Sequence, residues 1–231
     1  MKNPLILALD TKDPKQAAEW IKISLSKINH FKIGSEFFLE NGKDSIIDLQ
    51  KDFDFNLFLD LKLYDIPNTV KGAVESISEL RPKFLTVHAA GGAQMINAAA
   101  AALPGGSITA VTVLTSFSDS DFAQLGYEKD ISSMAKTWGS QAIKAGATSL
   151  VCSPFEAKEM KELAPSAVII TPGVRMLGEN LNDQSRVMTP KEALDNGADY
   201  VVIGRSITSQ SDKSAGAMQN KINEILESIS N

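Results

Sequence analysis

The 231-residue sequence has a single cysteine and only two histidines, and each scarcity removes a class of chemistry. One thiol cannot close an internal disulfide, so the chain is no stapled secreted scaffold and suits a reducing cytoplasm. With so few Cys and His residues, no metal-ligand spacing of those types occurs. The formal net charge is -5, and no basic face offsets it, which argues against a general nucleic-acid binder. Long hydrophobic runs are missing too. Stretches such as "PLILAL" are far too short to span a bilayer, so no membrane association is expected. The opening "MKNPLILALD" runs straight into an acidic residue with no small-residue cleavage site, and so does not read as a signal peptide. Also absent is a glycine-rich G-x-G-x-x-G turn after the first apolar stretch, which ends "ALDTKDP".

What is present is ordinary soluble composition, 43% hydrophobic and 22% charged, arranged in a strong alternation. Short β-rich apolar runs occur at 4–10, 30–35, 56–62, 84–90, 108–114, 149–154, 167–173 and 200–206. Several are nearly continuous hydrophobic stretches, as parallel strands buried on both faces require. Amphipathic helical patterns lie between them, including 13–24, 67–80, 92–103, 132–146 and 214–229. Pro67 opens one helix, and Gly146 and Gly197 close others. Eight strand–helix units imply a parallel sheet closed as a single-domain (β/α)₈ TIM barrel over residues 1–231. An open doubly wound sheet is the alternative, weakened by the missing glycine turn. The polar stretch 172–190 reads as a functional loop after the seventh strand.

Such barrels carry their chemistry at the C-terminal ends of their strands. Polar residues recur at that level: Asp10, Lys32, Asp60, Lys62, His88, Thr115 and Arg205. In "FLDLKLYDIPNT" (58–69), Asp60 and Lys62 are two apart and therefore share a face, which is the barrel interior if Leu59 and Leu61 pack outward. Interior charges are costly unless paired. The stretch is thus either a reactive cluster or a structural ion pair at the barrel mouth. After the seventh and eighth strands, "TPGVR" and "IGRS" each pair a glycine with an arginine. Gly173 and Gly204 would let backbone N–H groups approach a phosphate that Arg175 and Arg205 could grip. The alternative is a pair of strand-ending glycines beside solvated arginines. Cys152 reads as a buried structural thiol and His30 as a surface or interface residue. His88 either backs Asp60 and Lys62 or packs in the core.

Taken together these residues resemble the orotidine 5'-phosphate decarboxylase family, in its bacterial monofunctional form. "FLDLKLYDIPNTV" is similar to that family's Asp-x-Lys-x-x-Asp-Ile-Pro-x-Thr signature. "ALD", "FKIG", "VTVLTS", "TPGVR", "DQSRVMTP" and "VIGRSIT" extend the likeness along the whole chain, with a departure at Met176, where many relatives carry proline. The resemblance implies cofactor-free decarboxylation of orotidine 5'-monophosphate (OMP) to UMP, the last step of de novo pyrimidine nucleotide synthesis, in the cytoplasm. It implies Lys62 as proton donor beside Asp60 and Asp65, and a homodimer whose Asp65, Ile66 and Thr69 reach the neighbouring subunit's site. Asp10 and Lys32 would hold the ribose hydroxyls. Thr115 and Gln184 would contact substrate, and Arg175, Gly204 and Arg205 would hold its phosphate.

The chemistry of the residues is consistent with this. Losing CO₂ from C6 of the pyrimidine leaves a carbanion that must be stabilised and protonated. An ammonium between carboxylates is favoured in its charged form and can do both. Those carboxylates work against a Schiff-base aldolase, whose lysine must be neutral part of the time. The Mg²⁺-dependent ketogulonate-phosphate decarboxylase and hexulose-phosphate synthase group shares the Asp-x-Lys-x-x-Asp pattern but uses a Glu on the second strand. Here Lys32 stands at that level. A phosphosugar-binding barrel without catalysis would tolerate loss of the Lys–Asp cluster, yet all three residues are present.

Overall fold

In the computed structural model, residues 3–128, 130–176 and 188–230 are described. Eight strands form a closed, all-parallel barrel in chain order: β1 Leu5–Ala8, β2 His30–Gly34, β3 Asn56–Leu63, β4 Phe84–His88, β5 Ser107–Val111, β6 Ser149–Val151, β7 Val168–Thr171 and β8 Tyr200–Ile203. Closure comes from β1 pairing with β8, Ile6 opposite Val202. The expected (β/α)₈ architecture is therefore present. Apart from β3, which runs one residue beyond its apolar stretch, the strands are shorter than the apolar runs.

The helices are α1 Pro14–Ser24, α2 Ser35–Asp52, α3 Pro67–Ile77, α4 Gly92–Ala102, α5 Asp119–Gln124, α6 Ile131–Lys144, α7 Ala157–Leu163, α8 Pro190–Asp195, α9 Arg205–Thr208 and α10 Ala215–Ser230. Local chemistry starts and stops them. Asp13 caps α1 by accepting from the Lys15 N–H, with Pro14 at the first position. Pro67 opens α3 in the same way. Thr189 and Glu192 form a reciprocal capping box on α8. Two helices exceed the eight-unit alternation: α5 between β5 and α6, and the single turn α9 after β8.

Alternating residues divide the apolar side chains into two cores. Outward-facing Leu5, Leu7, Phe31, Ile33, Leu57, Leu59, Leu85 and Val87 pack under the helices. Inward-facing Ile6, Phe58, Phe84, Val111, Ile170 and Tyr200 fill the barrel. The lower part of that interior includes His30, which is 5% exposed rather than at the surface. Its ring lies 4.9 Å from Tyr200 and 6.2 Å from Phe84, and its Nδ1 is 2.8 Å from Asn29 Oδ1. The reason is register: His30 is two residues before Lys32 and so faces inward with it. Cys152 is buried as expected, and burial, then the charge of Glu156, pushes its thiol pKa well above the usual range.

Candidate active site

At the C-terminal mouth, four charged side chains from three adjacent strands form a chain of contacts. Lys32 Nζ on β2 lies 3.0 Å from Asp10 Oδ1, just beyond β1, and 3.4 Å from Asp60 Oδ2 on β3. Lys62 Nζ lies 2.8 Å from Asp60 Oδ1. Asp60 and Lys32 are close to buried, their side chains 12% and 13% exposed. Within the chain, the ammonium set between two carboxylates is thus Lys32. Lys62 pairs with Asp60, and among the described residues it has no second carboxylate.

Position and charge control ionisation here. Burial by itself lowers the Lys32 pKa, but the negative charges and hydrogen bonds of Asp60 and Asp10 outweigh it and hold the ammonium above its ordinary value. Burial likewise pushes Asp60 upward, while Lys32 and Lys62, with hydrogen bonds from Lys62 and Thr86, bring it below the ordinary carboxylate value. The pKa of the half-buried His88 is held low by burial and by the Lys62 charge, against a weaker pull from Asp60. Its ring centroid lies 5.6 Å from that of Tyr64.

Asp60 and Lys62 do converge, though not through an uninterrupted pleat. Leu59 pairs with Leu85 and Leu63 with Val87, so three residues of β3 (60–62) stand opposite the single residue Thr86 of β4. This bulge puts Lys62 at φ 49, in the left-handed region. For a non-glycine residue that costs roughly 1–2 kcal/mol. The displaced Lys62 N–H donates to Thr86 Oγ1 at 2.8 Å, a bond that contributes about 1 kcal/mol, and the ion pair with Asp60 adds to it.

The cluster opens into a cavity of about 180 Å³ whose walls include Lys32, Asp60, Lys62 and Thr115, with Val111, Val113, Leu114, Cys152 and Pro172 supplying an apolar side. The cavity thus has an apolar side and a charged side, the make-up of a small-molecule site. Gly173 has φ 80, a conformation that favours glycine. Gly204 has an ordinary φ, but a Cβ there would lie 3.3 Å from both Ala8 Cβ and Asp10 Oδ2. Arg175 is 7% exposed, and one of its guanidinium nitrogens donates to Val174 O at 2.8 Å. Arg205 is exposed and opens α9 instead of ending β8. Val174 and Met188 form a bridge that ties together the two ends of the 172–190 stretch. Gln184 lies outside the described residues.

Asp65, Ile66 and Thr69 are all exposed on the β3–α3 turn and the first turn of α3, and none lines the cavity of its own chain. Asp65 Oδ1 accepts from the Ile66 N–H at 2.6 Å. Neighbouring Tyr64 and Ile66 are 63% and 67% exposed, unusual for such side chains in a bulge-anchored turn. Thr86 was not anticipated. Its signal was its place between Phe84 and His88 on the inward face of β4, a polar residue where an apolar one would pack.

The chain is similar to known proteins in sequence and in fold. Residues 3–219 match the family described as "Orotidine 5'-phosphate decarboxylase / HUMPS family". An orotidine 5'-phosphate decarboxylase of Thermobifida fusca is 43% identical over 218 residues, 94% of each chain. One from Wolbachia pipientis is 42% identical, covering 93% of this chain and 96% of the relative. Among solved structures, orotidine 5'-phosphate decarboxylase from Lactobacillus acidophilus superimposes with a TM-score of 0.82 at 31% identity, covering the whole of both chains.

Proposed function

The chain belongs to the orotidine 5'-phosphate decarboxylase / HUMPS family, and from that premise we propose that it converts OMP to UMP and CO₂ without a metal or organic cofactor. The observation that carries the reading is the Lys62–Asp60 pair on the cavity wall, 2.8 Å apart, with Lys32 neutralising the other carboxylate oxygen. In the proposed reaction the C6–carboxylate bond breaks and its electron pair stays on C6. The Lys62 ammonium stabilises that pair and delivers its proton to C6; the resulting amine then regains a proton from water. Asp60, close to the substrate carboxylate, favours its departure. Like charges ~4 Å apart repel by about 4 kcal/mol at an effective dielectric near 20.

Asp10 and Lys32 take the ribose hydroxyls, Thr115 and Gln184 contact the substrate, and Arg175, Gly204 and Arg205 hold its phosphate. Phosphate binding then supplies remote binding energy for ordering the site. The cofactor-free reading is supported by the donor set: Lys32 already bridges the two carboxylates, Asp10 and Asp60, that a divalent cation would need. Among the described residues, no group of three or more His, Cys, Asp or Glu side chains is placed to hold a metal ion. No described helix is long and apolar enough to cross a membrane, and the free buried thiol of Cys152 suits a cytoplasmic setting.

The exposed Asp65 turn supports a homodimer in which Asp65, Ile66 and Thr69 complete the partner's site, giving each Lys62 its second carboxylate. Loss of orotate absorbance in the presence of EDTA tests the central reading, and undiminished turnover is expected. Turnover that requires added Mg²⁺ would redirect the assignment to the enediolate-forming relatives. Mixing Lys62→Ala with Asp65→Ala chains tests the shared site. Partial recovery of activity is expected, and no recovery despite verified subunit exchange would count against it.

A further inference from the structure

We propose that Thr86 is a positioning residue for Lys62, its hydroxyl setting both the backbone and the ammonium of that lysine. This rests on the reading of Lys62 as proton donor, and deepens it. Thr86 is fully buried on β4, opposite the three-residue bulge of β3. An N–H can only donate, so the 2.8 Å contact from Lys62 N makes Thr86 Oγ1 an acceptor. The hydroxyl hydrogen is then left for Asp60 Oδ1, 3.0 Å away. The same Asp60 oxygen accepts from Lys62 Nζ at 2.8 Å. These contacts close a ring: Lys62 N–H to Thr86, Thr86 O–H to Asp60, and Lys62 ammonium to Asp60.

The ring has a structural logic that an ordinary ladder lacks. With two surplus residues on β3, the Lys62 N–H has lost its place in the regular pairing, and the Thr86 hydroxyl takes the part of a strand carbonyl. A valine at this position would fill the same volume but would leave a buried N–H unpaired and Asp60 with one donor fewer. The left-handed backbone of Lys62 would then lose the contact that holds it, and its ammonium would no longer be fixed relative to Asp60. Reacting groups misplaced by about 1 Å lose on the order of 100-fold in rate.

The test compares Thr86→Val, Thr86→Ala and Thr86→Ser with wild type and Lys62→Ala, measuring kcat and KM for OMP and the Kd for UMP. For Thr86→Val and Thr86→Ala, kcat is expected to fall about 10- to 100-fold while KM and UMP affinity stay within about threefold. Thr86→Ser, which keeps the hydroxyl, is expected to recover most of the lost rate. Wild-type kcat in Thr86→Val with Lys62→Ala inactive would overturn the role of Thr86 and leave that of Lys62 standing. Full turnover by Lys62→Ala would instead remove the proton-donor reading itself. If the valine and alanine variants both fail to fold while serine folds, or if KM rises with kcat unchanged, the role is one of stability or binding and the proposal is overturned.

Discussion

On three neighbouring strands the barrel floor and the barrel mouth are two residues apart: His30 and Lys32 on β2, Phe58 and Asp60 on β3, Phe84 and Thr86 on β4. All six face inward, yet the two levels are held by different forces. The floor is closed by aromatic packing, with Phe84 5.8 Å from Phe58 and 5.7 Å from Tyr200 by ring centroid. Besides the His30 ring, its polar groups include hydroxyls that satisfy one another, such as Thr109 with Ser149 at 2.6 Å. The mouth instead confines two carboxylates and two ammoniums beside a cavity. Burying charge destabilises unless it is paired, so the floor supplies the stability from which a charged mouth can be held in place.

The largest expected break in this comparison is Lys62→Ala. Turnover should fall roughly 10⁴-fold or more, with UMP affinity kept within about tenfold, as steady-state kinetics and calorimetric titration would report. Asp60→Asn comes next. It keeps the shape but leaves Lys62 and Lys32 without the shared carboxylate, and kcat should drop at least about 100-fold with little loss of folded protein. The counterpart on the floor is Phe84→Ala. It should cost about 3–5 kcal/mol in chemical denaturation while turnover per folded molecule stays within about threefold in the cold. A floor substitution that changed kcat as strongly as Asp60→Asn would erase the distinction.

The smallest effect expected is on the pH dependence of stability. The Asp60 pKa is below its ordinary 3.8 in the fold, so its contribution is present above that value and is lost as pH falls through the folded pKa. The Lys32 pKa is above its ordinary 10.5, so its contribution is present below 10.5 and is lost as pH rises through the folded pKa. Wild-type stability minus that of Asp60→Asn, followed by urea denaturation, should therefore be flat between about pH 5 and 9 and shrink below 3.8. The same subtraction for Phe84→Ala should show no acid limb. An acid limb of equal size in both would mean that Asp60 is not its source.

Much of the site was readable before the fold. Strand–helix alternation predicts the barrel, and polar residues at strand ends predict Asp10, Lys32, Asp60 and Lys62 at one level. His30 could have been placed inside by the same two-residue step that links it to Lys32. Other features had no local signature. Nothing near Lys62 announces that its N–H will find Thr86, twenty-four residues away on the next strand. The kink at Gly42, where α2 has φ 68, and the extra helix α5 were likewise not visible in the apolar pattern. The arginines of the phosphate signal are adjacent in topology but differ in surroundings, Arg175 buried and Arg205 exposed, which neither "GVR" nor "GRS" distinguishes.

By itself the sequence determined which residues alternate, where helices begin, and that "DLKLYD" sets charges into an apolar strand, because periodicity and capping act between near neighbours. Only the tertiary structure decided that Lys62 leaves the pleat, that Lys32 lies between Asp10 and Asp60, and that Asp65 is exposed and does not line the cavity of its own chain. Those outcomes depend on how many residues of one strand face how many of the next. That count belongs to the pairing of β3 with β4 and to neither strand alone.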